Sequence, residues 1–288
     1  HCDKLKGTTY RFEKNTHTGT ETLILAAVLA RGKTVLENAS AEPEVDDLIA
    51  LLNAMGAKIK RLKPRTIIIE GVDKLHGTEF EVMSDRNEVV TFAVAAIVTG
   101  GDILVKNAQK QFISSFLNKL SEINGGWKEE KVGIRFYSKG ELINSDVITS
   151  HHPGFMTDWQ GPWVVIATGA NGESYVHETV YENRFSYVEE LKKMGAKITL
   201  YNPKIKNPKD FYNFNWKDNK PEYFHAAKII GPSKLHNAVL TISDLRAGAT
   251  LVLAALKVTG ESVIYGVEHI DRGYEDFEGR LRALGADV

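Results

Sequence analysis

The residues in this sequence best suited to chemistry are charged and sit at a few junctions. Asp158 lies in Gly154-Phe155-Met156-Thr157-Asp158-Trp159-Gln160, between an apolar strand (Val147, Ile148) and the run Val164-Val165-Ile166-Ala167, whose length and composition predict a helix. Comparable helix openings are read at Lys14 to Thr20, at Ser84-Asp85-Arg86-Asn87-Glu88 and at Ser243-Asp244-Leu245-Arg246. Two second helices are expected to open at Glu182-Asn183-Arg184-Phe185 and at Asp271-Arg272-Gly273-Tyr274-Glu275. A helix N-terminus offers free backbone N–H groups and the positive end of its dipole, so it stabilises anions. Taken singly, Thr157 or Asp158 reads as an N-cap, and each Asp-x-Arg as a cap beside a solvated arginine. The four arginines Arg86, Arg184, Arg246 and Arg272 at equivalent ends of related units read differently. If the units pack around a common axis, these ends face one cleft, and guanidinium groups recognise carboxylate or phosphate through paired hydrogen bonds. An aspartate among arginines stays ionised, and acts as a base only if it is aimed at a substrate proton. The residues therefore point to a cleft for a polyanionic small molecule, with Asp158 as its candidate base.

The elements that must position these groups come in repeats. Ala54-Met55-Gly56-Ala57-Lys58-Ile59 has a twin in Lys193-Met194-Gly195-Ala196-Lys197-Ile198, a third copy in Ala283-Leu284-Gly285-Ala286-Asp287-Val288 and a weaker one around Gly125-Gly126. Each follows a helical pattern, so the glycine reads as the left-handed residue ending a helix before a strand. Earlier in each unit another helix ends near Gly32, Gly101, Gly172 or Gly260. A short strand follows it: Thr34-Val35-Leu36, Ile103-Leu104-Val105, Tyr175-Val176-His177 or Val263-Ile264-Tyr265. Strand, helix, strand, helix, strand, with one or two further strands, predicts α/β units packing helices on sheets. The repeat is too long for a solenoid, so compact subdomains are expected. Residues 202–224 break the pattern, with Asn202-Pro203, Asn207-Pro208, Phe211, Tyr212, Phe214 and Trp216 suggesting an ordered loop packed on the surface.

Composition excludes several classes. At 288 residues the chain holds one large domain or two ordinary ones, and 43% apolar with 25% charged residues is a globular composition. A formal charge of −1 argues against non-specific binding to nucleic acid or acidic membranes, so positive charge for an anionic ligand must be local. The single Cys2 excludes an internal disulfide framework and fits a reducing, cytoplasmic compartment. Apolar runs are broken by Arg31, Gly100 and Thr259 before they reach spanning length. His151-His152 has no partners at metal-ligand spacing and reads as a loop, so no metal is expected. The glycines fit neither phosphate-binding motif, and no cofactor is expected. The chain opens on His and stops where a strand pattern begins, as a fragment would.

Several blocks together carry a resemblance. Glu37-Asn38-Ala39-Ser40-Ala41-Glu42-Pro43-Glu44-Val45, Met55-Gly56-Ala57, Ser84-Asp85-Arg86 and Thr157-Asp158-Trp159-Gln160 come first. Glu178-Thr179-Val180-Tyr181-Glu182-Asn183-Arg184-Phe185, Asp244-Leu245-Arg246-Ala247 and His269-Ile270-Asp271-Arg272-Gly273-Tyr274-Glu275 follow. In this order, from Leu5 to Val288, they resemble the UDP-N-acetylglucosamine enolpyruvyltransferase (1-carboxyvinyltransferase) family. The resemblance implies an α/β fold of repeated βαβαββ-type units, an inside-out α/β barrel in two domains with substrates between them. Residues 1–82 would be the last unit of an incomplete first domain, and residues 83–288 a second domain of three units with the insertion at 202–224. The implied reaction moves the enolpyruvyl group of phosphoenolpyruvate to the 3-hydroxyl of UDP-N-acetylglucosamine through a tetrahedral adduct, releasing phosphate. This is the first committed step of peptidoglycan synthesis, carried out by a cytoplasmic monomer with no nucleic-acid or membrane partner.

By the same resemblance Asp158 faces the sugar hydroxyl as base or orienting group. Arg184, Arg246 and Arg272 would surround phosphoenolpyruvate, with Asp244 supporting the site. Lys14, Asn15, Thr16 and His17 match a segment that binds the uridine diphosphate portion, and Val180 a backbone contact to the nucleotide sugar. The family's Lys-Asn pair and its mobile loop with a Cys or Asp and an Arg precede the matched region and are absent from this sequence. The 288 residues alone are therefore expected to be inactive or nearly so. Cys2 is not that loop cysteine and reads as an incidental thiol. Met156 stands where the family usually has Pro, and His17 where a small apolar residue is common. Alternatives within the fold are the shikimate-pathway enolpyruvyl transferase and the RNA 3′-phosphate cyclases. The Glu-Asn-Arg-Phe and Asp-Arg-Gly-Tyr-Glu blocks argue against the first, and the lack of a nucleic-acid face against the second. A truncated, non-catalytic nucleotide-sugar-binding relative is the alternative of a different class.

Overall fold

A computed structural model describes residues 4–288, so Cys2 lies outside the described residues. Near the start of the chain, β1 (Thr9–Arg11), α1 (His17–Ala27), β2 (Lys33–Glu37), α2 (Pro43–Ala54), β3 (Lys58–Lys63) and β4 (Thr66–Glu70) form one βαβαββ block. Its sheet has the order β1-β2-β4-β3, parallel between β1 and β2 and antiparallel elsewhere. Alternation along β4 turns Ile67 and Ile69 inward, where they meet Ile24 of α1 and Val45, Ile49 and Leu52 of α2 in one apolar core.

The same block recurs. The next copy is α3 (Arg86–Val98), β5 (Asp102–Lys106), α4 (Ser114–Glu122), β6 (Gly126–Glu130) and β7 (Gly133–Tyr137), with sheet order β5-β7-β6 and no strand ahead of α3. A complete copy follows in β8 (Val147–Ile148), α5 (Gln160–Ala167), β9 (Gly172–His177), α6 (Val188–Lys193), β10 (Lys197–Tyr201), the short α7 (Pro208–Phe211) and β11 (Ala226–Gly231). Its order β8-β9-β11-β10 repeats that of the first sheet. The last copy supplies β12 (Val239–Thr241), α8 (Leu245–Leu256), β13 (Val263–Tyr265) and α9 (Phe277–Ala283), with β12 and β13 parallel. Its sheet corresponds to the first two strands of the complete copies.

The second helix of every copy ends by one device. A backbone bond closes five residues back, from Ala57 N–H to the Leu52 carbonyl, Ala196 to Leu191, Ala286 to Leu281 and Gly125 to Leu120. Gly56, Gly195 and Gly285 hold the left-handed position at φ of 98°, 94° and 96°. In the weak copy that position is filled by Asn124 at φ 67°, which corrects the expectation that a glycine at 125 holds it. Asparagine tolerates this region better than most residues, which is why the glycine signal faded there.

The chain divides into two compact units. One runs up to Ser84 and includes His151–Gly154; the other holds Asp85–Ser150 and Phe155–Val288. In the first, the His152 N–H donates to Glu42 at 2.8 Å and Arg65 donates to the His152 carbonyl at 3.3 Å. Burial and the nearby Arg65 charge push the His151 imidazole down, so it is neutral near pH 7.

In the second unit α3, α5 and α8 pack on one another, with sheet strands against the outer sides of α3 and α5. Every residue of α5 is buried, so its sequence shows an unbroken apolar run rather than one apolar face. A Cβ on Gly161 would lie 2.2 Å from the Thr250 Oγ1 of α8, an approach that only glycine permits. Helices inside and sheets outside is the inside-out arrangement expected from sequence. Residues 202–224 form the packed loop, with Tyr212 and Phe214 buried and Tyr212 stacked on Trp216 at 5.2 Å. Among the described residues no helix is long and apolar enough to cross a membrane, and no cluster of three metal-ligating side chains occurs.

Candidate functional site

Asp158 occupies a 3₁₀ turn, Thr157–Trp159, that leads into α5. Neither Thr157 nor Asp158 caps a backbone N–H, which corrects the reading of either as an N-cap. Instead the Asp158 Oδ1 pairs with the Nη2 of Arg184 and, at 3.2 Å, with the Nε of Arg246. The three side chains retain only 22%, 18% and 20% of their exposure, so the pairing is poorly screened. Burial works to raise the Asp158 carboxyl. The Arg246 and Arg184 guanidinium groups, helped by Arg86, outweigh it and hold the carboxyl below the ordinary range. Asp158 is thus a carboxylate at any physiological pH.

Each cation reaches the site from a different element. Arg246 is in the first turn of α8 and is held by Tyr274, whose hydroxyl also pairs with Thr91 of α3 at 2.7 Å. Arg86, the first residue of α3, is 1% exposed, with its guanidinium 5.9 Å from the centre of the Trp159 ring. Arg184 lies over the ring of Tyr181 at 4.8 Å and donates its Nε to the Thr157 hydroxyl at 3.1 Å. The convergence follows from the packing of α3, α5 and α8, which brings three helix starts to one end of the bundle.

Asp244 takes a different role. It caps α8, accepting from the N–H groups of Arg246 and Ala247 at 2.9 Å each and from the Ser186 hydroxyl at 2.8 Å. Burial works to raise its carboxyl, and these donors lower it overall. Arg184 and Arg272 do not open helices as expected, because α6 begins at Val188 and α9 at Phe277. Both sit in the turns that precede them. The Arg272 side chain is exposed and makes no ion pair among the described residues. Its neighbour Gly273 packs on α8, where an added Cβ would lie 2.6 Å from Leu245, so Arg272 rides on the α8 opening without joining the Asp158 cluster.

The nucleotide-segment residues lie in the first unit. The Asn15 amide donates to the carbonyls of Asn38 and Ala39 at 3.2 Å and 3.0 Å, and Thr16 caps α1 through the Gly19 N–H. His17 faces Glu21 at 3.2 Å, while Lys14 stands ahead of the α1 cap. Val180 gives its N–H to Glu178 at 2.7 Å, which leaves its carbonyl as the group able to meet a ligand.

Sequence reasoning missed Glu178 and Thr157 as site residues. A signal existed: Ser174, Val176 and Glu178 share the buried phase of β9 and its extension, and an acid at an inward position needs a reason.

Comparisons with known proteins bear on the family and the fold. Residues 1–281 match the family described as EPSP synthase (3-phosphoshikimate 1-carboxyvinyltransferase). The chain is similar to proteins named UDP-N-acetylglucosamine 1-carboxyvinyltransferase. It is 42% identical to that of Koribacter versatilis over 99% of this chain and 61% of the relative. It is 44% identical to that of Magnetococcus marinus over 99% of this chain and 63% of the relative. The chain thus spans somewhat over three fifths of the length of the curated relatives it matches. Among solved structures, the enolpyruvyl transferase NikO from Streptomyces tendae superposes with a TM-score of 0.84 at 22% identity, over 99% of this chain and 65% of that one. That likeness establishes the fold. With the repeated βαβαββ blocks, the inside-out helix packing and a family match running through residue 281, the chain belongs to the EPSP synthase (3-phosphoshikimate 1-carboxyvinyltransferase) family.

Proposed function

We propose that the protein carrying this chain transfers the enolpyruvyl group of phosphoenolpyruvate to the 3-hydroxyl of UDP-N-acetylglucosamine, releasing phosphate. The observation that supports this most is the Asp158 carboxylate held between Arg184 and Arg246 at the opening of a buried helix. The names of the relatives favour the nucleotide sugar over shikimate 3-phosphate as acceptor.

In the addition step the sugar oxygen bonds to C2 of phosphoenolpyruvate while a proton reaches its methylene carbon. In the elimination step the C2–O bond to phosphate breaks and the methyl group returns a proton. Arg184, Arg246 and Arg272 would neutralise the carboxylate and phosphate charges, a preorganised role that costs no rearrangement in the transition state. Asp158, paired as it stands, is a weak base. Substrate anions competing for Arg184 and Arg246 would loosen those pairs and restore its basicity toward the sugar hydroxyl, while Asp244 keeps α8 and Arg246 in place. Lys14, Asn15, Thr16, His17 and the Val180 carbonyl would contact the nucleotide sugar. The reading carries a role in peptidoglycan synthesis, and through it in cell shape and division, for a monomeric enzyme of the cytoplasm.

The test is phosphate release from phosphoenolpyruvate by the full-length protein, with UDP-N-acetylglucosamine or shikimate 3-phosphate as acceptor. Release only with the nucleotide sugar supports the reading. Release only with shikimate 3-phosphate replaces it by the sister activity, and nucleotide-sugar binding without release makes the protein a binder.

A further inference from the structure

Glu178 is a fully buried carboxyl that forms no ion pair among the described residues, yet it lies one hydroxyl away from the charged cluster. Its Oε1 accepts from the Val180 and Tyr181 N–H groups at 2.7 Å and 3.0 Å and from the Thr149 hydroxyl at 2.9 Å. Its Oε2 accepts from the Thr157 hydroxyl, also at 2.9 Å. Arg184 Nε, 3.1 Å from the Thr157 oxygen, can only donate, so Thr157 accepts there and its single proton goes to the ionised Glu178 carboxyl. Donors therefore surround both carboxyl oxygens, an arrangement that suits the ionised form. The bonds run from Arg184 to Thr157 to Glu178, while the other end of the same guanidinium pairs with Asp158. A carboxyl that only tied down the Val180–Tyr181 turn would need Oε1 alone.

We propose that Glu178 is a positioning residue: through the Thr157 hydroxyl its buried carboxylate orients the Arg184 guanidinium, and with it the Arg184–Asp158 pair that the proposed enolpyruvyl transfer uses. This deepens the reading above and rests on it for its catalytic consequence. Burial pushes the Glu178 carboxyl up, against the pull of Arg184 and the hydrogen bonds. Keeping an acid there therefore costs stability, which a neutral turn residue would avoid.

Three variants test the relay: Glu178→Gln, Thr157→Val and Thr157→Ser. An amide at 178 best keeps its oxygen on the two backbone N–H groups and so turns its NH₂ toward Thr157. The hydroxyl then faces two donors and its own proton has no acceptor. The direct readout is the Arg184 Nε–Hε signal by nitrogen-15 NMR. We expect slow hydrogen exchange in the unsubstituted protein and in Thr157→Ser, and exchange faster by about tenfold or more in Thr157→Val and Glu178→Gln. In phosphate release, those two variants should lower kcat about 10- to 100-fold with KM for the nucleotide sugar shifted less than about threefold, and Thr157→Ser should restore kcat. Unchanged exchange in Thr157→Val and Glu178→Gln overturns the proposal, as does a serine that fails to rescue. Faster exchange in a protein that releases no phosphate with any acceptor upholds the positioning and sinks the enolpyruvyl reading instead.

Discussion

Asp158 and Asp244 stand at corresponding junctions of two copies of one structural block, and the fold treats them differently. Asp244 sits directly before α8 and is locked by two backbone N–H groups and the Ser186 hydroxyl. Asp158 lies inside an additional 3₁₀ turn, and its partners are the side chains of Arg184 and Arg246. Backbone donors cannot leave without unwinding the helix end, whereas guanidinium groups can exchange one anion for another. A carboxylate of the second kind can respond to an anionic ligand. One of the first kind holds a helix.

Substitutions can break or sharpen that contrast. The largest effect is expected from Asp158→Asn, which should cut turnover by about 10²- to 10⁴-fold while nucleotide-sugar binding, measured by calorimetry, stays within a few fold. If Asp244→Asn lost as much, the distinction between the two aspartates would fail. Next in size, Arg246→Ala should lower kcat/KM about 10²-fold and raise the carbon-13 NMR titration midpoint of the Asp158 carboxyl toward the ordinary carboxylate value. Arg272→Ala should raise KM for phosphoenolpyruvate without moving that midpoint, since Arg272 stands outside the pair.

Stability should divide the same way. Asp244→Ala removes a cap and should cost about 0.5–2 kcal/mol by urea denaturation, with Asp244→Asn retaining most of it. Because the Asp158 carboxyl is depressed on folding, its stabilisation is present above the unfolded value and fades as pH falls through the folded one. Asp158→Asn should therefore flatten the acid limb of the stability curve. The aromatic loop gives an effect of another kind, seen only when the pH is lowered. Burial, helped by the nearby His177, brings the His225 imidazole down from 6.5 to about 4. The stability tied to its neutral form is whole above pH 6.5 and is lost as pH falls toward 4. Replacing His225 by Asn should reduce that loss in a thermal melt between pH 7 and pH 4.

Much of the block architecture was legible because it is written in local chemistry. The glycines at 56, 195 and 285 mark helix ends that need a left-handed residue, and short apolar runs such as Thr34-Val35-Leu36 mark the strands that follow first helices. Where a different residue met the same need, as Asn124 does, the signal weakened. The loop 202–224 was recognisable from its prolines and aromatics, but the stacking of Tyr212, Trp216 and His225 joins residues that share no sequence period. At the site, the types of Asp158, Arg184 and Arg246 announced anion chemistry, while Glu178 was quoted only inside a motif and Thr157 was read as a cap, because their roles depend on where β9 ends relative to the α5 turn.

The sequence by itself determined the repeats, the helix ends, the buried run of α5 and the stock of arginines, all of which follow from short-range sterics, capping and hydrophobic patterning. Only the tertiary structure decided which charges meet. Stacking α3, α5 and α8 brings their starts to one end of the bundle, so Arg246 reaches Asp158, 88 positions away in the sequence, and Arg184 joins them from a turn. Arg272, of the same type and in a similar turn, remains in solvent. Coulomb attraction acts over ångströms in space, and no spacing along the chain encodes that distance.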